Sequence, residues 1–135
     1  MDIEKSLELI LQSGDKFGSS FYDVFFERCP KAAEYFKDTD MHRQSLVLTM
    51  ALQLLAQYYT NGFNSIEQYL QAMGTRHDDK DIPKEMYTDW RESMLTTLGN
   101  FHGDRWSDEL AQQWHEAIER ASEAMFRGYD NRTGV

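Results

Sequence analysis

The stretch that most constrains this chain is Leu70 to Tyr87, LQAMGTRHDDKDIPKEMY. Leu70, Met73 and His77 fall at steps of three and four, so a helix sets them on one face. After His77 the pattern breaks into the acidic run Asp78-Asp79-Lys80-Asp81. Pro83 is then expected to open a fresh helix, because proline lacks an N–H that a first turn leaves unpaired anyway. A histidine is thus offered from the last turn of an apolar-faced helix, beside a corner. That suits a metal or cofactor ligand. A lone histidine in such a place is more often a satisfied structural residue, and this stretch alone does not choose.

The rest of the chain sets the class. Its long patterned segments follow a helical period, no stretch alternates polar and apolar as a strand would, and Gly and Pro are few, so the class is all-α. At 135 residues it is expected to form a single domain, burying about two-thirds of its extended surface. A net charge of −9 without a basic stripe argues against nucleic acid or an anionic membrane surface as partner. No apolar run reaches the length of a membrane span, and the N-terminus does not read as a signal peptide. Cys29 is the single cysteine, which excludes an internal disulfide and fits a reducing, cytoplasmic setting. The Asn131-Arg132-Thr133 triplet would matter only in a secreted protein and is set aside as chance. Aromatic residues make up 13%, with seven Met besides. They serve equally a large adaptable core or a pocket around a flat apolar ligand.

Helices are expected over Ile3–Ser13, with Asp2 as N-cap and Gly14 as stop, and over Asp15–Arg28, carrying Phe17, Phe21, Tyr22, Phe25 and Phe26. Pro30 begins a short turn ending at Phe36. From Met41 to Thr60 runs the most apolar helix: Met41, Gln44, Leu48, Leu52 and Leu55 line its inward face, and Leu46, Val47, Met50 and Leu54 are expected to widen it. Gln44 is the polar exception in that stripe. The next helix, from Ser65, presents Ile66, Tyr69, Leu70, Met73 and His77. A further helix, Pro83 to about Leu98, faces inward with Met86, Tyr87, Trp90, Met94 and Leu98. Gly99-Asn100 and Gly103-Asp104 are expected to bracket a loop, leaving His102 solvated, with His115 also a surface histidine. The last helix starts at Ser107 and turns Leu110, Trp114, Ala117, Ile118, Ala121 and Met125 inward; residues from about 128 to 135 are expected to form a flexible tail. There is no Gly-rich phosphate loop, Cys-x-x-Cys or His-Glu-x-x-His. The acidic corner lacks the glycine and distal glutamate of a calcium loop. Cys29 has no histidine partner in view and reads as a passive thiol.

Four blocks, in order along nearly the whole chain, resemble the globin family, specifically bacterial single-domain haemoglobins and the haem domain of flavohaemoglobins. FYDVFFERCPKAAEYF, Phe21 to Phe36, is similar to the segment in which a phenylalanine ends a short helix and stacks on haem, and in which many bacterial members carry a distal tyrosine. Those places fall to Phe36 and Tyr22. QSLVL is similar to the start of the distal helix, with Gln44 four residues before Leu48. His77, Ile82 and Tyr87 match the family's histidine, aliphatic and tyrosine at steps of five, and the last helix with Trp114 is also family-like. The resemblance departs at Asp81, where the family has glycine, and near Tyr129, where no counterpart of the family's supporting glutamate stands. His42 is the rival to Gln44, but it aligns with Ser45, Thr49 and Gln53, a polar stripe, whereas Gln44 aligns with Leu48 and Leu52.

The resemblance implies a globin fold of seven to eight helices, a three-over-three sandwich around a haem pocket, and haem b as cofactor. His77 would be the iron ligand, with Tyr87 behind it and Met73 on the same face. Phe36, Tyr22, Gln44 and Leu48 would line the opposite side. A hydroxyl or amide there donates to the negative end of a bound diatomic ligand, each bond contributing ~1–3 kcal/mol in a dry pocket. A tyrosine–glutamine pair implies tight O2 binding and slow release. The implied activity is reversible binding of O2, NO and CO. Nitric oxide dioxygenation with a separate reductase, gas sensing through a partner protein, and a haem-free helical interaction domain remain as further readings.

Overall fold

A computed structural model describes residues 1–131. Among them are seven α-helices and no strand: α1 (Ile3–Gln12), α2 (Lys16–Arg28), α3 (Pro30–Ala33), α4 (Met41–Asn61), α5 (Asn64–Asp79), α6 (Met86–His102) and α7 (Asp108–Asn131). Two 3-10 turns, Glu34–Phe36 and Gly103–Arg105, follow α3 and α6. The expected all-α class is what the structure has.

Local chemistry explains most boundaries. Asp2 caps α1 by accepting the Lys5 amide, and Asp40 caps α4 by accepting the amides of His42 and Arg43. Gly62 ends α4 in the left-handed conformation, φ +64°, which glycine adopts without strain. The turn after α5 uses Asp81 in the same region, φ +58°, where a side chain is usually disfavoured.

Several boundaries differ from expectation. α5 runs two residues past His77, so the acidic corner begins inside the helix. Pro83 does not open α6: its carbonyl and those of Lys84 and Glu85 accept three-residue turn bonds, and the α-helix starts at Met86. Gly99 does not stop α6 either. It lies against the Trp106 indole, and the helix continues to His102, where Gly103 at φ +58° turns the chain. Of the supposed tail, Gly128 to Asn131 continue α7, with Gly128 buried; the remainder lies outside the described residues.

α2 packs across α6 and α4, α4 lies on α7, and the most extensive helix pairing is α5 on α7. Phe17, Phe21, Ile10, Leu52, Leu70, Met94, Leu98, Leu110, Trp114 and Ile118 fill the centre. His102, expected in solvent, is buried: Ser6 Oγ and His102 Nε2 lie 2.5 Å apart, and Trp114 Nε1 donates to Ser6 Oγ at 2.9 Å. On α4 the expected inward face is too wide. Leu46, Val47 and Met50 are about half exposed, at 41%, 50% and 55%. Ser45 and Thr49 are buried instead, their hydroxyls satisfied by the Met41 and Leu46 carbonyls of their own helix. Tyr69 is also exposed, with the Arg76 guanidinium over its ring. No helix among the described residues is long and apolar enough to cross a membrane.

Candidate functional site

The sequence-derived residues gather as two groups on different helices. On one side stand Tyr22 from α2, Phe36 from the first 3-10 turn, and Gln44 and Leu48 from α4. The Tyr22 and Phe36 ring centroids are 5.3 Å apart, and Phe26 packs on both, at 5.5 and 5.6 Å. Gln44 Nε2 donates to the Tyr22 hydroxyl at 2.9 Å. Leu48, one turn further, is buried.

A close helix crossing sets up this pair. Gly18 lies one turn before Tyr22, and a Cβ there would come within 2.7 Å of Ser45 Cα and Cβ. Ser45 is the neighbour of Gln44, so α2 and α4 touch backbone to backbone where the two polar side chains must meet. His42, the rival distal residue, faces away. It is exposed and pairs with the Asp15 carboxylate at 2.8 Å.

Burial raises the Tyr22 pKa, with the Gln44 hydrogen bond acting the other way, so the phenol stays protonated. Its oxygen accepts from Gln44. Its own proton is left to donate.

On the other side are Met73 and His77 from α5 and Tyr87 from α6. His77 Nδ1 lies 2.8 Å from the Met73 carbonyl oxygen. A carbonyl can only accept, so Nδ1 carries the proton and Nε2 carries the lone pair. Burial lowers the His77 pKa, and Lys80 and Arg76 lower it further, against the raising effect of the Met73 carbonyl. The ring is therefore neutral and able to ligate at Nε2. Met73 contributes through its backbone carbonyl, one turn before the histidine.

The Tyr87 ring lies 6.1 Å from that of His77 and packs on Phe126 at 4.7 Å and Tyr129 at 6.0 Å. Its hydroxyl is buried without a well-formed hydrogen bond. Burial, then Tyr129 and Asp78, push its pKa far up, so it too stays a neutral phenol. Tyr129, where the sequence offered no supporting glutamate, donates to the Ile82 carbonyl at 2.7 Å. It braces the corner after α5 rather than the imidazole.

A hydrogen bond from the Tyr35 hydroxyl to the Asp81 carbonyl, 3.3 Å, links the turn bearing Phe36 to the corner after α5. The helices that carry Gln44 and His77, α4 and α5, barely touch each other, and α5 leans on α7. Among the described residues no group of three or more His, Cys, Asp or Glu could hold a bare ion. A neutral imidazole with an oriented ring and an unprotonated Nε2 has the chemistry of a haem-iron donor.

The Globin family model matches residues 19–125. The flavohemoprotein of Halalkalibacterium halodurans is 21% identical over 127 residues, 93% of this chain and 31% of that protein. The leghemoglobin of Psophocarpus tetragonolobus is 29% identical over 58 residues, 43% of this chain and 40% of that protein. The matches thus span about a third of the first relative and two-fifths of the second. A crystal structure from Pseudomonas aeruginosa PAO1, described as structurally highly homologous to a human hemoglobin, superposes with a TM-score of 0.79. It is 22% identical, with 95% of this chain and 98% of that one covered. The chain belongs to the globin family and has the globin fold. Membership implies a haem cofactor and gaseous ligands.

Proposed function

We propose that this chain binds haem b through Nε2 of His77 and reversibly takes O2, NO and CO on the side lined by Tyr22, Gln44, Phe36 and Leu48. The observation that carries this reading is the 2.8 Å bond from His77 Nδ1 to the Met73 carbonyl, which fixes the ring and leaves Nε2 as the free donor. Haem, held there by His77, would supply an iron able to take a diatomic gas reversibly.

The chain's own residues do the rest. His77 anchors, and its bond to a neutral carbonyl rather than a carboxylate keeps the imidazole a moderate donor, suited to holding a gas intact. Tyr22, its oxygen engaged by Gln44, offers its proton to the ligand. Phe36 packs beside Tyr22 and keeps that side apolar, so the hydrogen bond is not competed away by water. Tyr87 buttresses the His77 side. Such a pocket favours slow O2 release, and so scavenging or reaction over bulk transport.

Nitric oxide dioxygenation is the reaction this reading admits. NO and O2 combine to nitrate, and a separate reductase returns the one electron spent. The likeness to a flavohemoprotein over 93% of this chain supports it. A reducing, cytoplasmic setting fits the buried free thiol of Cys29.

Absorption spectroscopy tests the core of this. Titration of the purified chain with hemin should give a Soret band saturating at one equivalent, and the reduced form should change reversibly with O2. No Soret band after hemin addition would end the haem reading. Nitrate formed one-for-one with added NO would support dioxygenation; oxygen-dependent capture of a protein partner without nitrate would move the assignment to sensing.

A further inference from the structure

His77 rides on α5, and what holds α5 decides where the imidazole sits. In this chain that support comes from α7. Gly74 lies so close to α7 that a Cβ there would fall on the Met125 carbonyl. Gly128 answers it from the other helix, where a Cβ would fall on the Gln71 carbonyl and near the Thr75 amide nitrogen. Two glycines, one on each helix, thus let the backbones meet. Thr75 closes the crossing: its hydroxyl donates to the Gly128 carbonyl at 2.9 Å, with the Gln71 carbonyl of its own helix a longer second acceptor at 3.2 Å.

The contact is fixed at both ends. Glu67, in the first turn of α5, pairs with Arg127. Past the other end, Tyr129 donates to the Ile82 carbonyl at 2.7 Å and Lys84 meets Asp130 at 3.1 Å. Between them Leu70 is fully buried and Met125 nearly so. Met73, whose carbonyl orients His77, is the residue before Gly74. Little of this support comes from α4, across the proposed pocket.

Taking His77 as the ligand proposed above, we infer that Gly74, Thr75 and Gly128 are positioning residues that hold its helix on α7 without help from the cofactor. The chain then presents a finished ligand to incoming haem. A helix of 16 residues is marginal alone in water, so its order in the haem-free chain must come from this docking.

Hydrogen exchange on the haem-free full chain tests this, with haem loss from the loaded protein as a second readout. Amides of residues 70–79 should be protected to within about tenfold of those in α7. Thr75→Val, which keeps the shape and removes the hydroxyl, should speed exchange in α5 at least tenfold while α2 and α6 stay protected. The same variant should speed transfer of haem to an excess of a haem-free globin at least tenfold, and Thr75→Ser should restore both. Glu67→Gln, a milder change, should move both readouts the same way by twofold or more, and serves if Thr75→Val does not fold. Unprotected α5 amides in the haem-free wild-type chain would overturn the proposal, as would a Thr75→Ser variant as impaired as Thr75→Val. Protected α5 with no haem binding would instead sink the functional reading and leave the docking standing.

Discussion

Gln44 Nε2 donates to the Tyr22 hydroxyl across 2.9 Å, which engages the phenol oxygen and leaves its proton unspent. Removing that proton removes the donor without emptying the space. Tyr22→Phe should therefore speed O2 dissociation by roughly 5- to 150-fold, the equivalent of one hydrogen bond of ~1–3 kcal/mol in a dry site. Gln44→Leu should act in the same direction by less, because it frees Tyr22 to turn away rather than deleting it. Flash photolysis or stopped-flow mixing measures both. An unchanged rate in Tyr22→Phe would take the tyrosine out of the ligand's reach.

The same pair depends on a crossing that has no room for a methyl group. Gly18→Ala would place a Cβ within 2.7 Å of Ser45 Cα, so α2 and α4 must separate. Overpacking of this kind costs about 1–3 kcal/mol. We expect a lower denaturation midpoint together with faster O2 release, since Tyr22 and Gln44 move apart when the helices do. Lost stability with unchanged O2 release would mean the crossing does not set the pair.

Stability should also fall in mild acid. Burial first, then Arg105, lower the pKa of His102 below its ordinary value near 6.5. The facing groups are Ser6 from α1, Trp114 from α7 and the stacked Trp106. Charging the ring would set an N–H on Nε2 against Ser6 Oγ, which already accepts from Trp114, while Nδ1 is buried without a partner in either state. The unfolded chain thus binds the proton more readily. The stabilisation is present above about pH 6.5 and is lost as pH falls from there through the lowered folded pKa. Urea midpoints measured from pH 8 to 5 should decline in wild type and decline less in His102→Phe; His77 contributes equally to both.

The sequence carried much of this, and the failures have physical causes. Asp2, Gly62 and the four-residue spacing of Phe17, Phe21 and Phe25 are local signals, and the helices follow them. Tyr22, Gln44 and Phe36 lie in contact, Gln44 bonded to the phenol and Phe36 packed on its ring, while their roles with haem are the proposal above. His102 departs from expectation because its partners, Ser6 and Trp114, are remote in sequence and Gly99 imitates a helix stop. Leu46, Val47 and Met50 are apolar yet lie off the arc that α4 presents to α2 and α7, so apolar identity alone does not give their direction. The backbone-to-backbone contacts at Gly18, Gly74 and Gly128 left no residue pattern to read beyond a glycine inside a helix. Each is where a helix bearing a proposed site residue, or the helix that supports it, is held.

The most direct measurement is the absorption spectrum of the reduced, haem-loaded protein with His77 replaced by glycine, recorded with and without added imidazole. If Nε2 of His77 holds the iron, His77→Gly loses the ferrous spectrum of the wild-type protein. Free imidazole then restores it by taking the vacated place. A ferrous spectrum identical to wild type in His77→Gly, with no imidazole present, would contradict the account.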